Sequence, residues 1–194
     1  RHVRMYNLIS SPGAGKTTLL EQTCRHLHGS LKVGIIEGDV YTDRDAQRLK
    51  QYGFPIVLIN TEGGCHLDSN SIDGALKEFD LDEMDLLFVE NVGNLVCPSH
   101  FDLGETAKIA VVSTSEGDDK PIKYPMLFRD ARAVILNKMD LLEYTNFNYD
   151  AFVKDLRQVN PTVPLFETSL TRGEGLDGWY HWLEEEAKRE SNNG

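Results

Sequence analysis

The sequence predicts a doubly wound α/β domain, with a mostly parallel central sheet and helices on both faces. Three observations carry this expectation. Seven short apolar runs are near-continuous rather than alternating in and out, the pattern of strands buried on both faces of a parallel sheet. Longer helical stretches separate most of them at the spacing of β–α–β crossovers. The 194 residues, 40% hydrophobic and 26% charged, are enough for one sizeable core, and no repeat, low-complexity tract or linker divides them. A single domain over 1–194 follows, with residues 190–194 expected to fray as a polar tail.

In chain order, the first strand is Met5–Ile9, followed by a helix over Lys16–Gly29. Strands at Val33–Glu37 and Ile56–Ile59 enclose a helix at Asp43–Gln51, and a further helix at Ser71–Phe79 leads to a strand at Asp85–Glu90. Strands at Lys108–Val112 and Ala133–Asn137 come next, then a helix at Tyr149–Val159 and a strand at Val163–Glu167. A last helix, Leu176–Arg189, is introduced by Gly173-Glu174-Gly175, read as its capping sequence.

The turn after the first strand has a chemistry of its own. Ser10-Ser11-Pro12-Gly13-Ala14-Gly15-Lys16-Thr17-Thr18 joins a strand to a helix N-terminus. Glycines let backbone N–H groups curl around phosphate oxygens, and the helix dipole favours the anion. Gly13, Ala14, Gly15 and Thr18 are expected to cradle the phosphates, Lys16 to neutralise β/γ-phosphate charge, and the Thr17 hydroxyl to ligate Mg²⁺. The first glycine of this phosphate-loop motif is replaced by Ser10.

At the end of a later strand stands Asn137-Lys138-Met139-Asp140, which resembles the Asn-Lys-x-Asp motif of GTPases. A carboxylate at Asp140 can accept from guanine N1–H and N2–H, donors that adenine lacks. Hydrogen bonds to charged groups contribute about 1.5–3 kcal/mol each, so two favour guanine by about a hundredfold or more. The Lys138 stem would cover the base. Thr168-Ser169-Leu170 stands where many GTPases carry Ser-Ala-Lys, which adds Ser169 and Leu170 to the expected nucleotide site.

Acidic residues follow two strands. Asp39, after the second, is expected at Mg²⁺ or the attacking water, and Glu90, after the fourth, does the acidic work at that strand end. Asp43 and Asp45 have two readings, orienting water or opening a solvated helix; Asp45 is included with Lys16, Asp39 and Glu90 in the expected catalytic set.

Of the three cysteines, Cys24 falls within the first helix and reads as a small core residue. Cys65 and His66 are adjacent in a glycine-flanked loop at the active edge, and Cys97 lies seven residues past Glu90. Two copies related by a twofold axis would supply four ligands from Cys65 and His66, with Cys97 as a further thiolate. Such donors suit Zn²⁺ or Ni²⁺, or the residues bind no metal at all; spacing leaves these open. Asp68 and His100 read as surface residues or outer supports of such a site.

Bulk properties exclude some classes. A net charge of −11, from 20 basic and 31 acidic side chains, argues against nucleic acid as a partner. No apolar run reaches the roughly 18 residues of a membrane span, no signal peptide opens the chain, and three cysteines do not suggest a disulfide scaffold. A cytoplasmic protein is expected, although the chain opens on Arg1 rather than Met.

Taken in order, Ser-Ser-Pro-Gly-Ala-Gly-Lys-Thr-Thr, Gly-Cys-His-Leu-Asp, Glu-Asn-Val-Gly-Asn-Leu-Val-Cys-Pro, Glu-Gly-Asp-Asp-Lys-Pro and Asn-Lys-Met-Asp closely resemble the HypB family of nickel-incorporation GTPases from [NiFe]-hydrogenase maturation, from about Met5 to Leu183. The resemblance implies a P-loop NTPase fold of the SIMIBI type, hydrolysis of GTP to GDP and phosphate, and a nucleotide-dependent homodimer. It implies Ni²⁺ delivery to the hydrogenase large subunit alongside a HypA-type metallochaperone, with Cys65, His66 and Cys97 at the dimer interface and Lys123 toward the partner's nucleotide. The family's N-terminal Cys-rich motif and His-rich tract are not in this sequence. Three alternatives make other predictions: a UreG-type nickel GTPase for urease, whose motif is Cys-Pro-His; a nickel-storage protein with structural nucleotide; and a small-molecule kinase, which would prefer ATP.

Overall fold

The computed structural model describes residues 3–38, 53–61 and 63–188. Within them lie seven strands: β1 (Arg4–Ser10), β2 (Val33–Glu37), β3 (Ile56–Leu58), β4 (Leu86–Glu90), β5 (Ala107–Ser113), β6 (Ala131–Asn137) and β7 (Leu165–Glu167). They form one sheet in the order β3-β2-β4-β1-β5-β6-β7, and every pairing is parallel. The helices are α1 (Lys16–Leu27), α2 (Ser69–Leu76), α3 (Cys97–His100), α4 (Lys120–Lys123), α5 (Pro125–Asp130), α6 (Tyr149–Val159) and α7 (Asp177–Lys188).

The continuous apolar runs have the expected cause, since successive residues of one strand enter opposite cores. Tyr6 and Leu8 of β1 pack with Phe88, Ile109 and Ile135 beneath α1 and α7, while Met5 and Ile9 enter cores on the other face, the latter with Phe128 and Phe152. Helix α7 is joined to α1 by Trp179 Nε1, which donates to Thr23 Oγ1 at 2.9 Å in the buried layer. At the strand N-terminal ends, the buried Glu186 of α7 accepts from Arg4 (2.9 Å), Arg132 (3.3 Å) and the Tyr6 hydroxyl (3.3 Å). Burial first, then the Glu186 charge, pushes the Tyr6 phenol well above its ordinary range. Arg132 is free to reach Glu186 because β6 bulges there: Lys108 pairs with Ala131, and Ile109 with Ala133.

All seven expected strands are present, with small shifts at their ends. The expected start of β7 at Val163 moves to Leu165, because Pro164 has no N–H and contributes only its carbonyl, which accepts from Val134 N. The helix expected at Ser71–Phe79 begins two residues earlier, where the Asp68 carboxylate accepts from Ser71 N at 2.8 Å and caps it. Gly173-Glu174-Gly175 is a turn rather than a cap, closed by an isolated bridge between Ser169 and Glu174. The helix expected over Asp43–Gln51 and the polar tail lie outside the described residues.

The strand order reverses at the centre of the sheet. From β1 the chain moves out to β2 and β3, returns to β4 beside β1, then continues outward on the other side through β5, β6 and β7. Ligand crevices in open α/β sheets form at such reversals, beyond the strand carboxyl ends. The carboxyl ends of β1, β2 and β4 therefore frame the candidate site.

Candidate functional site

The loop after β1 turns into α1 at Gly15, whose φ of 114° no side-chain-bearing residue adopts comfortably. A Cβ there would also stand 2.4 Å from Asn137 Nδ2. Lys16 is only 8% exposed, and its ammonium donates to Ser10 Oγ at 2.7 Å. The replacement of the motif's first glycine thus gives this buried lysine a hydroxyl acceptor. Thr17 Oγ1 donates to Glu90 Oε1 at 2.7 Å, bringing the first residues of α1 against the end of β4.

The Asn137-Lys138-Met139-Asp140 segment is tied to the phosphate loop through the Asn137 side chain. Asn137 Nδ2 donates to Ala14 O at 2.8 Å, while its Oδ1 accepts from Leu170 N at 3.1 Å and Thr168 Oγ1 at 3.4 Å. These partners hold three loops together in a buried setting. Lys138 takes the left-handed conformation, φ 62°, which turns the chain so that Asp140 faces the Ser169 loop. Asp140 accepts from Ser169 Oγ at 2.6 Å and pairs with Arg172 at 3.5 Å. The Lys138 ammonium donates to Ser115 Oγ at 3.1 Å.

Glu37 ends β2 directly in register with Glu90 at the end of β4, and both are buried. Two neighbouring carboxylates at this end make an oxygen-rich edge beside the Thr17 hydroxyl, the donor type that hard cations take. Asp39, Asp43 and Asp45 lie outside the described residues.

A second cluster, of softer donors, forms at the same end of the sheet. The ligand atoms of Cys65, His66 and Cys97 all lie within 4.8 Å of one another. Cys65 is exposed and the other two are half-buried. Cys65 Sγ is 3.4 Å from His66 Nδ1. With metal–sulfur and metal–nitrogen bonds of about 2.3 and 2.0–2.1 Å, that separation corresponds to roughly 100° at a shared ion, between square-planar and tetrahedral values. The side-chain hydrogen bond with Cys97 is the first cause holding the Cys65 thiol above its ordinary pKa. The His66 imidazole lies flat on Phe101, with centroids 3.9 Å apart and planes 12° apart. One helical turn thus supplies both Cys97 and, at its end, the ring that orients His66. The donor set therefore fits a borderline-soft divalent ion.

Residues 4–167 match a family described as CobW/HypB/UreG, nucleotide-binding domain. The chain belongs to this family. It is 50% identical over 178 residues to the hydrogenase maturation factor HypB of Escherichia coli K12, an alignment covering 92% of this chain and 61% of that protein. It is 38% identical to a probable hydrogenase maturation factor HypB of Methanocaldococcus jannaschii, covering 94% of this chain and 83% of the other. Among solved structures, it superposes on HypB from Helicobacter pylori in complex with nickel with a TM-score of 0.88 at 39% identity, covering 97% of this chain and 88% of that one. The shared fold is that of a P-loop NTPase. The chain spans about three-fifths of the length of the first of these relatives.

Membership in the CobW/HypB/UreG family leaves several side chains for the coordinates to reveal. Asn91, Phe101, Glu37 and Arg172 all sit against expected site residues, yet none drew notice from spacing. Asn91 stood inside a motif whose acid attracted the reading, and Phe101 meets His66 only through tertiary packing. Asp68 serves as a helix cap, and hydrogen bonding from the Ser71 backbone N–H holds its carboxyl below the usual range. His100 and Lys123 are exposed. No helix among the described residues is long and apolar enough to cross a membrane.

Proposed function

We propose that the chain binds GTP with Mg²⁺, hydrolyses its γ-phosphate bond, and in a GTP-dependent homodimer holds Ni²⁺ at Cys65, His66 and Cys97 for delivery to a hydrogenase large subunit. The observation that carries this reading is the soft three-residue cluster standing at the same sheet end as Lys16, Thr17 and Glu90. The names of the relatives support it, including the H. pylori protein whose structure holds nickel.

In this reading Lys16 leaves Ser10 for the β/γ-phosphate oxygens, and the backbone N–H groups of residues 13–18 enclose the phosphates. Thr17 and Glu90, with Asp39, hold Mg²⁺, which when bound neutralises charge developing on the phosphate oxygens. Asp45 joins the catalytic set by orienting water. Asp140 accepts the guanine N1–H and N2–H, Lys138 covers the base, and Asn137, Ser169 and Leu170 hold this loop in place. Nickel is cargo: Cys65 and Cys97 bind it as thiolates and His66 as a neutral imidazole. A HypA-type metallochaperone is the expected co-worker, and the single domain works outside the membrane and without nucleic acid, in the cytoplasm. A relative from Helicobacter hepaticus carries the name hydrogenase/urease maturation factor HypB, so urease is the second recipient to test.

Molar mass by light scattering and bound Ni²⁺ are to be measured together, with GDP and with a non-hydrolysable GTP analogue. The expected result is a dimer that gains nickel only with the analogue and loses it in Cys65→Ala. A monomer without nickel in both states would remove the metal role and leave only the nucleotide chemistry.

A further inference from the structure

The segment Glu90-Asn91-Val92-Gly93 touches both candidate sites at once. On the nucleotide side Glu90 accepts from Thr17. Three residues on, Gly93 lies so close to the phosphate loop that a Cβ would stand 3.1 Å from both Cα and N of Pro12. Between these two contacts Asn91, fully buried, faces the metal loop. Its Oδ1 accepts from Leu67 N at 3.2 Å, the peptide joined directly to His66, and from Val92 N at 2.9 Å. Its Nδ2 donates to Asn7 Oδ1 on β1 at 3.1 Å.

Leu67 is held from the other side as well. It is 1% exposed and occupies the space over Gly38, where a Cβ would meet Leu67 Cδ1 at 2.5 Å. Gly38 N in turn donates to Glu90 O at 2.9 Å. The residue following His66 is therefore clamped between the carboxyl ends of β2 and β4, the two strands that carry the acidic edge. Interiors packed this closely transmit displacement instead of absorbing it.

We infer that Asn91 is the positioning residue through which the nucleotide state reaches the metal ligands, an inference that rests on the function proposed above. Once the Thr17 oxygen takes a second partner, its 2.7 Å bond to Glu90 changes geometry and the end of β4 shifts. Asn91 moves with Glu90, carries the Leu67 peptide, and reorients the His66 imidazole relative to Cys97. The covalent route from Glu90 to Cys97 crosses six intervening residues. The route through Asn91 crosses a single buried hydrogen bond.

The test is Ni²⁺ affinity by competition with a chromophoric chelator, measured with GDP and with a non-hydrolysable GTP analogue. Coupling of the usual size would separate the two states of the wild type by about 5–150-fold. Asn91→Ala is expected to bring that ratio to one while the GDP-state affinity stays close to wild type, because all three ligands and the covalent route are intact. Asn91→Asp keeps the oxygen that accepts from Leu67 N, provided the Asn7 amide turns to donate to its second oxygen at the loss of its 3.4 Å bond to Glu105, and is then expected to retain the ratio. An undiminished ratio in Asn91→Ala overturns the inference, as does loss of nickel in both states, which would make Asn91 a purely structural residue. If Asn91→Ala does not fold, Asn91→Ser takes its place, since the serine hydroxyl stops one bond short of the oxygen that accepts from Leu67 N; a ratio falling toward one supports the relay and an undiminished one overturns it. A wild type whose nickel affinity ignores the nucleotide would instead overturn the proposed nucleotide-gated function.

Discussion

Replacing Asn137 by Ala removes a side chain that ties the phosphate loop to its own Asn-Lys-x-Asp segment and to the Ser169 loop. The amide is 4% exposed and makes three hydrogen bonds, to Ala14 O, Leu170 N and Thr168 Oγ1. Its loss leaves a buried carbonyl and a buried N–H unpaired, at about 1–3 kcal/mol each. Water entering the polar gap recovers part of this, so the expected destabilisation is about 2–4 kcal/mol, a large share of a stability that is typically 5–15 kcal/mol. For a domain of this size each kcal/mol lowers Tm by about 2–4 °C, which predicts a fall of about 5–15 °C. Urea unfolding without nucleotide should show a lower midpoint with an unchanged slope. Guanine-nucleotide affinity should fall as well, because two loops lose their common anchor. Asn137→Asp keeps the accepting oxygen but sets a carboxylate against the Ala14 carbonyl, so it should fare no better. A variant that unfolds within about 0.5 kcal/mol of wild type and binds GDP equally well would refute the reasoning.

Asp140→Asn should leave stability nearly unchanged while the preference for GDP over ADP drops by about a hundredfold, as measured by competitive nucleotide binding. Glu186→Ala leaves Arg4 and the buried Tyr6 hydroxyl without their shared acceptor and should cost about 3–5 kcal/mol in chemical denaturation. Burial pushes the Cys24 thiol up to about 12, so in the native protein iodoacetamide should label Cys65 and Cys97 and reach Cys24 only after unfolding. Because that folded pKa lies above the unfolded one, the stability Cys24 contributes is complete below about pH 8.5 and is lost as pH rises through about 12. Denaturation midpoints across that range should show a steeper alkaline fall in wild type than in Cys24→Ala.

The strands were legible because burial on both faces forces unbroken apolar runs, and this signal needs no knowledge of neighbours. Ends were less so: Pro164 and the Asp68 cap moved boundaries by two residues each through single hydrogen-bond rules. The short helices α3, α4 and α5 went unread because four to six residues cannot show a helical period, although a proline near the start of each was the available clue. That Lys16, Thr17, Asn137 and Asp140 meet at one end of the sheet was legible, because each stands at or just after the carboxyl end of a parallel strand. That Cys97 joins Cys65 and His66 was legible through the family resemblance rather than from separation in sequence, because parallel strands decide which loops become neighbours. Asn91 was hidden for the same reason. Its partner Leu67 is 24 residues away in sequence and one hydrogen bond away in space.

The position of β1 has a consequence for synthesis. Of the seven strands it leaves the ribosome first, yet its hydrogen-bonding neighbours are β4, which ends at Glu90, and β5, which ends at Ser113. Chains emerge N-terminus first, and exposed strand edges pair with other chains until their own partners arrive. Until residue 113 is out, the phosphate loop hangs from a strand with at least one bare edge, and Asn137, which anchors the loop through Ala14 O, has not been made. Nascent chains stalled in the first half should therefore bind no nucleotide and be candidates for chaperone capture. The loop after β1 therefore gains its Asn137 anchor only after 123 further residues past Ala14, Asn137 included, have been added.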